Sequence, residues 1–384
     1  MALRGAEART RARAKVLHGV GTIIHELSDY AQSRPFMEES LSIWRELGDK
    51  KGTATALNSL GWLAFQVGDF GAARSLSEEG LLRCRELGEK RAAAVALYNL
   101  GSVAFHRSEY PTALSLYEES LALRREVGDR RGCAYVQASL SRVEHQRGNH
   151  DKAAAALQEA LVVLRELNDR QLIAWALSLQ GIVAGDQGEF DRAQVMLEES
   201  LSLAREVGNK AIIAWALSHL ADVLNNQGKA ALATTLLDEG VSLSRSIGNA
   251  WVLAPALQSR GCLALGQGDL IRASDLYRES LRLWSMMGGR RGIADCLEGF
   301  AGLALAQGDP AGAARLYAAA EAIRQTIGAP RPPRRRVEYE QDLTTLCREL
   351  GGESFETAWA EGQAATLEQA CKLAGSERLD KPLG

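Results

Sequence analysis

The sequence predicts an all-α fold: a right-handed α-solenoid of about eight helix pairs, closed by a C-terminal helical cap. Three observations predict it: a segment that returns every 40 residues, glycines in fixed columns, and apolar residues spaced i, i+3, i+4 and i+7 between them. A chain of 384 residues is long for one compact core. A repeat array avoids that limit because each unit needs contacts only with its neighbours.

The repeated segment is the clearest of these signals. RELGD at 45–49 returns as RELGE at 85–89, REVGD at 125–129, RELND at 165–169 and REVGN at 205–209. The glycine of this segment is replaced only by Asn168, and asparagine is the next-best residue for a left-handed helix C-cap. The column therefore marks the end of a helix in each repeat.

Two further columns of small residues divide each repeat. Gly68 and its equivalents up to Gly308, with Ser108 as the exception, mark a turn that an acidic and often an aromatic residue follow. A third column lies inside the first helix, where glycine costs about 1 kcal/mol relative to alanine. It contains Gly21, Gly61, Gly101, Gly181 and Gly261, with serine or alanine in the other repeats. Small residues at this position predict a close approach between helices.

These boundaries assign two helices to each repeat. In the second repeat helix A is expected near 52–66 and helix B near 70–87, and each further copy lies 40 residues on. The predicted repeats are 11–50, 51–90, 91–130, 131–170, 171–210, 211–250, 251–290 and 291–330. Residues 1–10 are expected to extend the first helix, and 331–384 to form capping helices. Pro35 is expected to delay or kink the first helix B, whereas Pro255 lies in the first turns of a helix A, where it is better tolerated.

The columns resemble a known repeat family, the tetratricopeptide repeat (TPR). The residues that carry the resemblance are Leu60-Gly61, Gly68-Asp69-Phe70, Ala73 and Leu81. The period of 40 rather than 34, together with the segments at 331–343 and 355–362, is similar to the MalT-like TPR region of bacterial signal-transduction (STAND-type) ATPases and regulators. This resemblance implies a concave groove, lined mainly by helix A, for a protein or peptide partner or a small-molecule inducer. It also implies an attached or separate STAND ATPase.

Several function classes lack support in the sequence. The phosphate loop GxxxxGK[ST], HExxH, GxSxG and metal-spaced Cys/His sets are absent, so we expect no enzyme, no cofactor and no metal site. His145 and His150 are expected on different helix faces. A formal net charge of −3 argues against direct nucleic-acid binding, and no run of eighteen apolar residues predicts a membrane span. Six scattered cysteines are interpreted as buried thiols of a cytoplasmic protein.

Two charged features are interpreted as solvated. Acidic pairs such as Glu78-Glu79 recur on helix B at the repeat period, which favours an exposed outer face over a hydrolytic or Ca²⁺ site. The run RPPRRR at 331–336 has the charge to grip phosphate, but acidic residues follow it. We therefore interpret it as a solvated linker between array and cap.

Candidate binding residues come from columns that vary between repeats, because residues that build the solenoid repeat. The columns that begin at Thr55, Trp62, Phe65 and Gln66 vary, and they place aromatic and polar groups together in the middle repeats. The candidate groove residues are Tyr135, Arg142, His145, Gln146, Trp175, Asp186, Trp215, His219, Asp222, Asn225 and Asn226. The alternative is that the tryptophans pack between adjacent helices.

The sequence favours a binding scaffold: the sensor array of a bacterial signalling or transcription-regulatory ATPase, in which a ligand in the groove shifts the curvature of the solenoid. The alternative is a self-assembling adaptor that associates through its array ends without an attached ATPase.

Overall fold

The computed structural model describes residues 9–375, in which nineteen α-helices and no strand are present. The helices of the first four repeats are α1 (Arg11–Glu26), α2 (Tyr30–Glu46), α3 (Lys50–Gln66), α4 (Phe70–Glu86), α5 (Lys90–His106), α6 (Tyr110–Glu126), α7 (Arg130–Gln146) and α8 (His150–Glu166). Those of the next four are α9 (Arg170–Asp186), α10 (Phe190–Val207), α11 (Lys210–Asn226), α12 (Ala230–Ser246), α13 (Ala250–Gly266), α14 (Leu270–Met287), α15 (Arg290–Ala306) and α16 (Pro310–Ile327). The cap consists of α17 (Pro333–Leu350), α18 (Gly352–Ala364) and α19 (Leu367–Leu373). The eight predicted helix pairs and the helical cap are thus confirmed.

The turns have the conformations that the glycine columns predict. The non-glycine residues at these turns, Ser28, Ser108 and Asn168, adopt φ of 63°, 64° and 52°, in the left-handed region that the glycines of these columns occupy. Aspartates cap many of the following helices: the Asp49 carboxylate accepts a hydrogen bond from the Gly52 amide at 2.9 Å. Thr10 caps α1, so the helix begins at Arg11; the rest of the predicted extension, 1–8, lies outside the described residues.

The small-residue column inside helix A allows the close packing that it predicts. A Cβ on Gly61 would lie 2.5 Å from Ser77 Oγ, and one on Gly101 would lie 2.7 Å from the Tyr117 ring. Both distances are shorter than van der Waals contact. The two helices of a pair therefore approach closely because no side chain separates them.

The acidic pairs lie on the outer face, where one glutamate of a pair forms an ion pair with an arginine of the preceding repeat. Arg45 Nη2 lies 2.9 Å from Glu79 Oε2, and the contact returns one repeat later between Arg85 and Glu119 at 2.7 Å. Exposed ion pairs such as these contribute about 0–1 kcal/mol each. The interpretation of a solvated face agrees with this arrangement.

Successive turns of the superhelix contact each other. Trp251 Nε1, at the start of α13, donates to Gln66 Oε1 at 2.9 Å, at the end of α3. The Arg291 amide, at the start of α15, donates to Ser108 Oγ at 3.0 Å, just after α5. In both cases the end of one helix A meets the start of the helix A five repeats later. The concave side is therefore an enclosed interior and not an open groove.

Two expectations about the helices and the cysteines are wrong. Pro35 does not delay α2, which begins at Tyr30 and continues through the proline; Pro35 and Ala31 are both exposed, so the carbonyl that loses its partner can face solvent. The six free cysteines are not all buried: Cys262 is exposed toward the interior, and Cys347 is exposed on α17. No helix within 9–375 has both the length and the apolarity to cross a bilayer.

Candidate functional site

The interior of the superhelix contains three adjoining cavities along its axis. The first chamber has a volume of about 430 Å³, the second about 130 Å³ and the third about 330 Å³. His106, Arg142 and Trp251 line both the first and the second chamber. Asp222 and Arg334 are among the residues that line both the second and the third. The chambers are thus consecutive sections of one interior.

All eleven residues predicted for the groove line these chambers, but they do not form a single cluster. Tyr135, Arg142 and Trp175 line the first chamber. The second is lined by Arg142, His145, Gln146, Asp186, Trp215, His219 and Asp222. Asp222, Asn225 and Asn226 line the third. The interior faces of α7, α9 and α11 position these side chains.

The first chamber has aromatic walls, and neutral and charged polar groups, among them Arg124 and Asp129, also line it. The Tyr98 and Tyr135 rings lie 4.7 Å apart between centroids, and Trp62 lies 5.8 Å from Tyr98. The Tyr98 hydroxyl is 3.1 Å from Ser139 Oγ. Burial raises the pKa of the Tyr135 hydroxyl well above its usual value, so this wall is uncharged at neutral pH.

An aromatic cluster separates the first and second chambers. Trp215 lies 6.0 Å from Trp175 and 5.3 Å from Trp251, measured between ring centroids. Trp175 and Trp215 are 7% and 9% exposed. Trp251 lies on α13, one repeat after Trp215 and two repeats after Trp175. The tryptophans therefore pack against one another on the interior side of the A helices, and the contact with Gln66 ties them to the previous turn.

A charged cluster lies in the second chamber. His145 Nε2 is 3.0 Å from Asp186 Oδ2, and Arg334 Nε is 2.8 Å from Asp186 Oδ1. Burial opposes ionisation of Asp186, but Arg334 and His145 hold the pKa of its carboxyl well below the usual range. His150 Nδ1 is 3.0 Å from His145 Nδ1, so the expectation that these histidines lie apart is wrong. The turn after α7 places His150 at the start of α8, beside His145.

The boundary with the third chamber is also polar. Ser259 Oγ donates to Asp222 Oδ2 at 3.0 Å, and His219 Nδ1 is 4.0 Å from the same oxygen. The Trp215 ring meets the His219 ring edge to face at 4.5 Å. Burial lowers the pKa of His219 to about 4, so the imidazole is neutral at physiological pH. Asn225 and Asn226 are exposed to the third chamber.

The arginine run at 331–336 is not a solvated linker. Arg331 Nε lies 2.8 Å from Glu298 Oε1, its guanidinium also contacts Glu321, and Arg334 pairs with Asp186. The helix α17 contacts α9 as well as α16 and α18, so the start of the cap faces an earlier turn of the superhelix. Arg331 falls 40 residues after Arg291, and this register was the signal that sequence reasoning missed.

Residues from distant repeats complete the site. His106, Trp251 and Arg334 were missed because their partners on other turns lie 145 to 185 residues away, a separation that a comparison of neighbouring repeats does not reveal. Within the described residues no group of three or more His, Cys, Asp or Glu side chains is arranged to hold a metal ion. The lining combines aromatic surface with hydrogen-bonding groups, which suits binding of an organic ligand.

Comparison with known proteins identifies the repeat. The profile of the tetratricopeptide repeat matches residues 12–86, 92–166, 143–206 and 172–246, which together cover more than half of the chain. Repeats of this kind generally serve as non-catalytic scaffolds that bind protein or peptide partners. No curated protein matches the chain.

Several solved structures share the fold. A Rap protein complexed with Competence and Sporulation Factor is 13% identical with a TM-score of 0.61, over 95% of this chain and 99% of that one. Aspartyl phosphate phosphatase F from Bacillus subtilis is 10% identical with a TM-score of 0.53, over 72% and 71%. A STAND protein with a tetratricopeptide repeat sensor from Pyrococcus horikoshii is 11% identical with a TM-score of 0.51, over 92% and 52%. At these identities the likeness concerns the fold alone.

Proposed function

Because the chain belongs to the tetratricopeptide-repeat family, we propose that it is a ligand-sensing scaffold whose interior chambers bind a peptide or a small organic molecule. The observation that carries the proposal is the enclosed interior, whose aromatic walls alternate with hydrogen-bonding groups. The first chamber, at about 430 Å³, is in the size range of small-molecule sites. Tyrosine and tryptophan surfaces beside polar groups are also the usual anchors of peptide recognition.

The contacts between turns provide a mechanism of response. The polar contacts between turns, such as Trp251 with Gln66 and the Arg291 amide with Ser108, are single hydrogen bonds. A ligand in the first or second chamber touches residues of both turns, because Trp251 and His106 line both chambers. Binding then favours one spacing of the turns over another, and the whole array changes pitch.

A regulatory ATPase is the partner that we propose for this sensor. The array has the fold of a STAND protein with a tetratricopeptide repeat sensor, and it spans about half the length of that chain. In this proposal the pitch change acts on an attached or separate ATPase in the cytoplasm. A pull-down with and without a bound ligand tests this part: recovery of an ATPase that depends on the ligand supports it, and no ATPase in either state contradicts it.

The binding proposal is tested with a defined probe. A library of hexapeptides is incubated with the protein, unbound peptides are removed by gel filtration, and retained peptides are identified by mass spectrometry. We expect retention by the wild type and loss in Trp62→Ala, which removes a partly buried wall of the first chamber. Trp359→Ala, in the cap and outside the chambers, is the matched control. Equal retention by both variants, or no binding of any peptide or small organic probe, would contradict the proposal.

One observation favours self-assembly as a second function. The helix α1 exposes Val16, Ile23 and Leu27 by 64%, 61% and 62%, and no repeat within the described residues covers them. In this alternative the first repeat pairs with a second copy. Light scattering across a range of concentrations decides: a dimer that Ile23→Glu dissociates supports it, and a constant monomer mass excludes it.

A further inference from the structure

The arginines of the interior have carboxylate partners, with one exception. In the first chamber Arg124 and Arg131 pair with Asp129 and Asp169 at 2.7 and 2.5 Å. In the second and third chambers the arginine–carboxylate pairs are Arg291–Asp295 at 3.6 Å, Arg334–Asp186 at 2.8 Å and Arg335–Asp295 at 4.0 Å. Arg142 lines both the first and the second chamber, yet no carboxylate of residues 9–375 lies within ion-pair distance of it.

The surroundings of Arg142 provide donors and ring faces instead of negative charge. Its guanidinium carbon lies 4.3 Å from the Phe105 ring centroid and 5.2 Å from that of Trp175. Its Nη2 is 3.3 Å from His106 Nε2. The indole N–H groups of Trp175 and Trp215, in the same cluster, have no hydrogen-bond acceptor among the described residues. Two indole donors without an acceptor therefore lie beside the Arg142 guanidinium where the two chambers meet.

This arrangement leaves a half-buried guanidinium without a carboxylate counterion. Burial lowers the pKa of Arg142, and the nearby Arg291 guanidinium acts in the same direction, whereas the hydroxyls of Tyr117, Tyr98 and Tyr135 act against it. A buried charge without a partner is costly, and an apolar side chain of similar volume is generally as stable or more stable. An anion that enters the chambers would supply the missing partner and the missing acceptors together.

We propose that Arg142 is the anion-recognition residue of the interior and that the ligand carries a carboxylate beside a flat apolar group. This inference rests on the proposed function and specifies the ligand of that site. A planar guanidinium binds a carboxylate through two parallel hydrogen bonds. One guanidinium neutralises the single negative charge of a carboxylate, whereas a phosphate dianion would keep one negative charge uncompensated by Arg142. The rings of Phe105, Trp175 and Trp215 provide the surface for the flat group.

The inference is tested with a matched pair of probes, indole-3-acetate and indole-3-acetamide, which differ in charge and hardly in shape. Binding is followed by calorimetry and by quenching of tryptophan fluorescence. We expect the wild type to bind the carboxylate at least tenfold more tightly than the amide. Arg142→Met should abolish the difference, and Arg142→Lys should reduce it, because lysine retains the charge but not the planar fork. Arg74→Met, which removes an arginine that lies outside the chambers and pairs with Glu109, should leave it unchanged.

The source of the carboxylate is decided by a second arm. Hexapeptides retained by the wild type are resynthesised with an amidated C-terminus or with glutamine and asparagine in place of their acidic residues. Loss of binding on amidation assigns Arg142 to a C-terminal carboxylate, and loss on the side-chain change assigns it to an acidic residue. If only indole-3-acetate binds, the ligand is a small organic acid. Each of these results supports the inference.

The contrary outcomes separate this inference from the proposed function. Equal binding of acid and amide, or an unchanged preference in Arg142→Met, overturns the role of Arg142 and leaves an interior that binds ligands. No binding of any indole probe or peptide overturns both.

Discussion

Arg142→Met and Arg324→Met are expected to change the free energy of unfolding very differently, although each removes a guanidinium from the interior. Arg324 is a buried partner of two carboxylates: its Nε lies 2.7 Å from Glu298 Oε1, and its Nη2 contacts Asp295. Arg142 has ring faces and one imidazole nitrogen around it and no carboxylate of the described chain. The pair of variants therefore compares a compensated charge with an uncompensated one.

The magnitudes follow from these contacts. Arg324→Met removes the shortest ion-pair contacts of Asp295 and Glu298, although Arg291 and Arg331 stay beside them, and breaking a buried ion pair costs up to about 3–5 kcal/mol. Arg142→Met loses a cation–π contact of about 0.5–1 kcal/mol and a hydrogen bond of about 1 kcal/mol. Removing the desolvation penalty of an unpaired guanidinium offsets that loss. We therefore expect Arg142→Met to remain within about 1 kcal/mol of the wild type.

Urea unfolding followed by circular dichroism measures both variants. The midpoint of Arg324→Met should fall clearly, and that of Arg142→Met should stay near the wild type, with an unchanged slope in each case. An equal and large loss in both variants would contradict this expectation, because it would mean that Arg142 is compensated by a structural partner.

Two further predictions concern the interior histidine and the packing of a helix pair. Burial lowers the pKa of His219 to about 4, against about 6.5 in the unfolded chain, so its contribution to stability is complete above pH 6.5 and is lost as the pH falls from 6.5 to 4. His219→Asn should therefore lessen the loss of stability between pH 7 and pH 5 by about 1–2 kcal/mol in urea titrations at the two values, and an identical loss would contradict this. Gly101→Ala should destabilise the protein, since the new Cβ would lie 2.7 Å from the Tyr117 ring. Gly19→Ala should stabilise the protein by about 0.5–1 kcal/mol, because no atom lies within 4 Å of the new Cβ. Thermal unfolding that ranks the two variants in the opposite order would contradict the close packing of the helix pair.

The local architecture could be predicted from the sequence because each repeat depends only on its neighbours. The glycine column that contains Asn168 predicted where a helix ends, and the column that contains Gly61 and Gly101 predicted that two helices approach closely. Both are properties of one repeat, and they return with the 40-residue period. For the same reason the helix bounds near 52–66 and 70–87 differ from Lys50–Gln66 and Phe70–Glu86 by at most two residues.

The closure of the superhelix could not be predicted in this way. It results from the small rotation between repeats, summed over five of them, and no single repeat encodes that sum. The sequence therefore did not indicate the hydrogen bond between Trp251 and Gln66. For the same reason the run at 331–336 was interpreted as solvated, although Arg331 and Arg334 form ion pairs with carboxylates on other helices. Variation between repeats did select residues that line the interior. It did not reveal that Arg142 lacks a counterion, since that depends on what every other turn brings near it.

Successive turns of the superhelix contact each other and bound the chambers, and one hydrogen bond makes this contact measurable. Gln66 and Trp251 lie 185 positions apart and share a hydrogen bond of 2.9 Å, so a double-mutant cycle between Gln66→Ala and Trp251→Phe isolates it. Urea unfolding of the wild type, the two single variants and the double variant gives the coupling energy. We expect a favourable coupling of about 0.5–1.5 kcal/mol, the value of one hydrogen bond. A coupling of zero, with the two effects simply additive, would contradict the contact between turns and with it the enclosed interior.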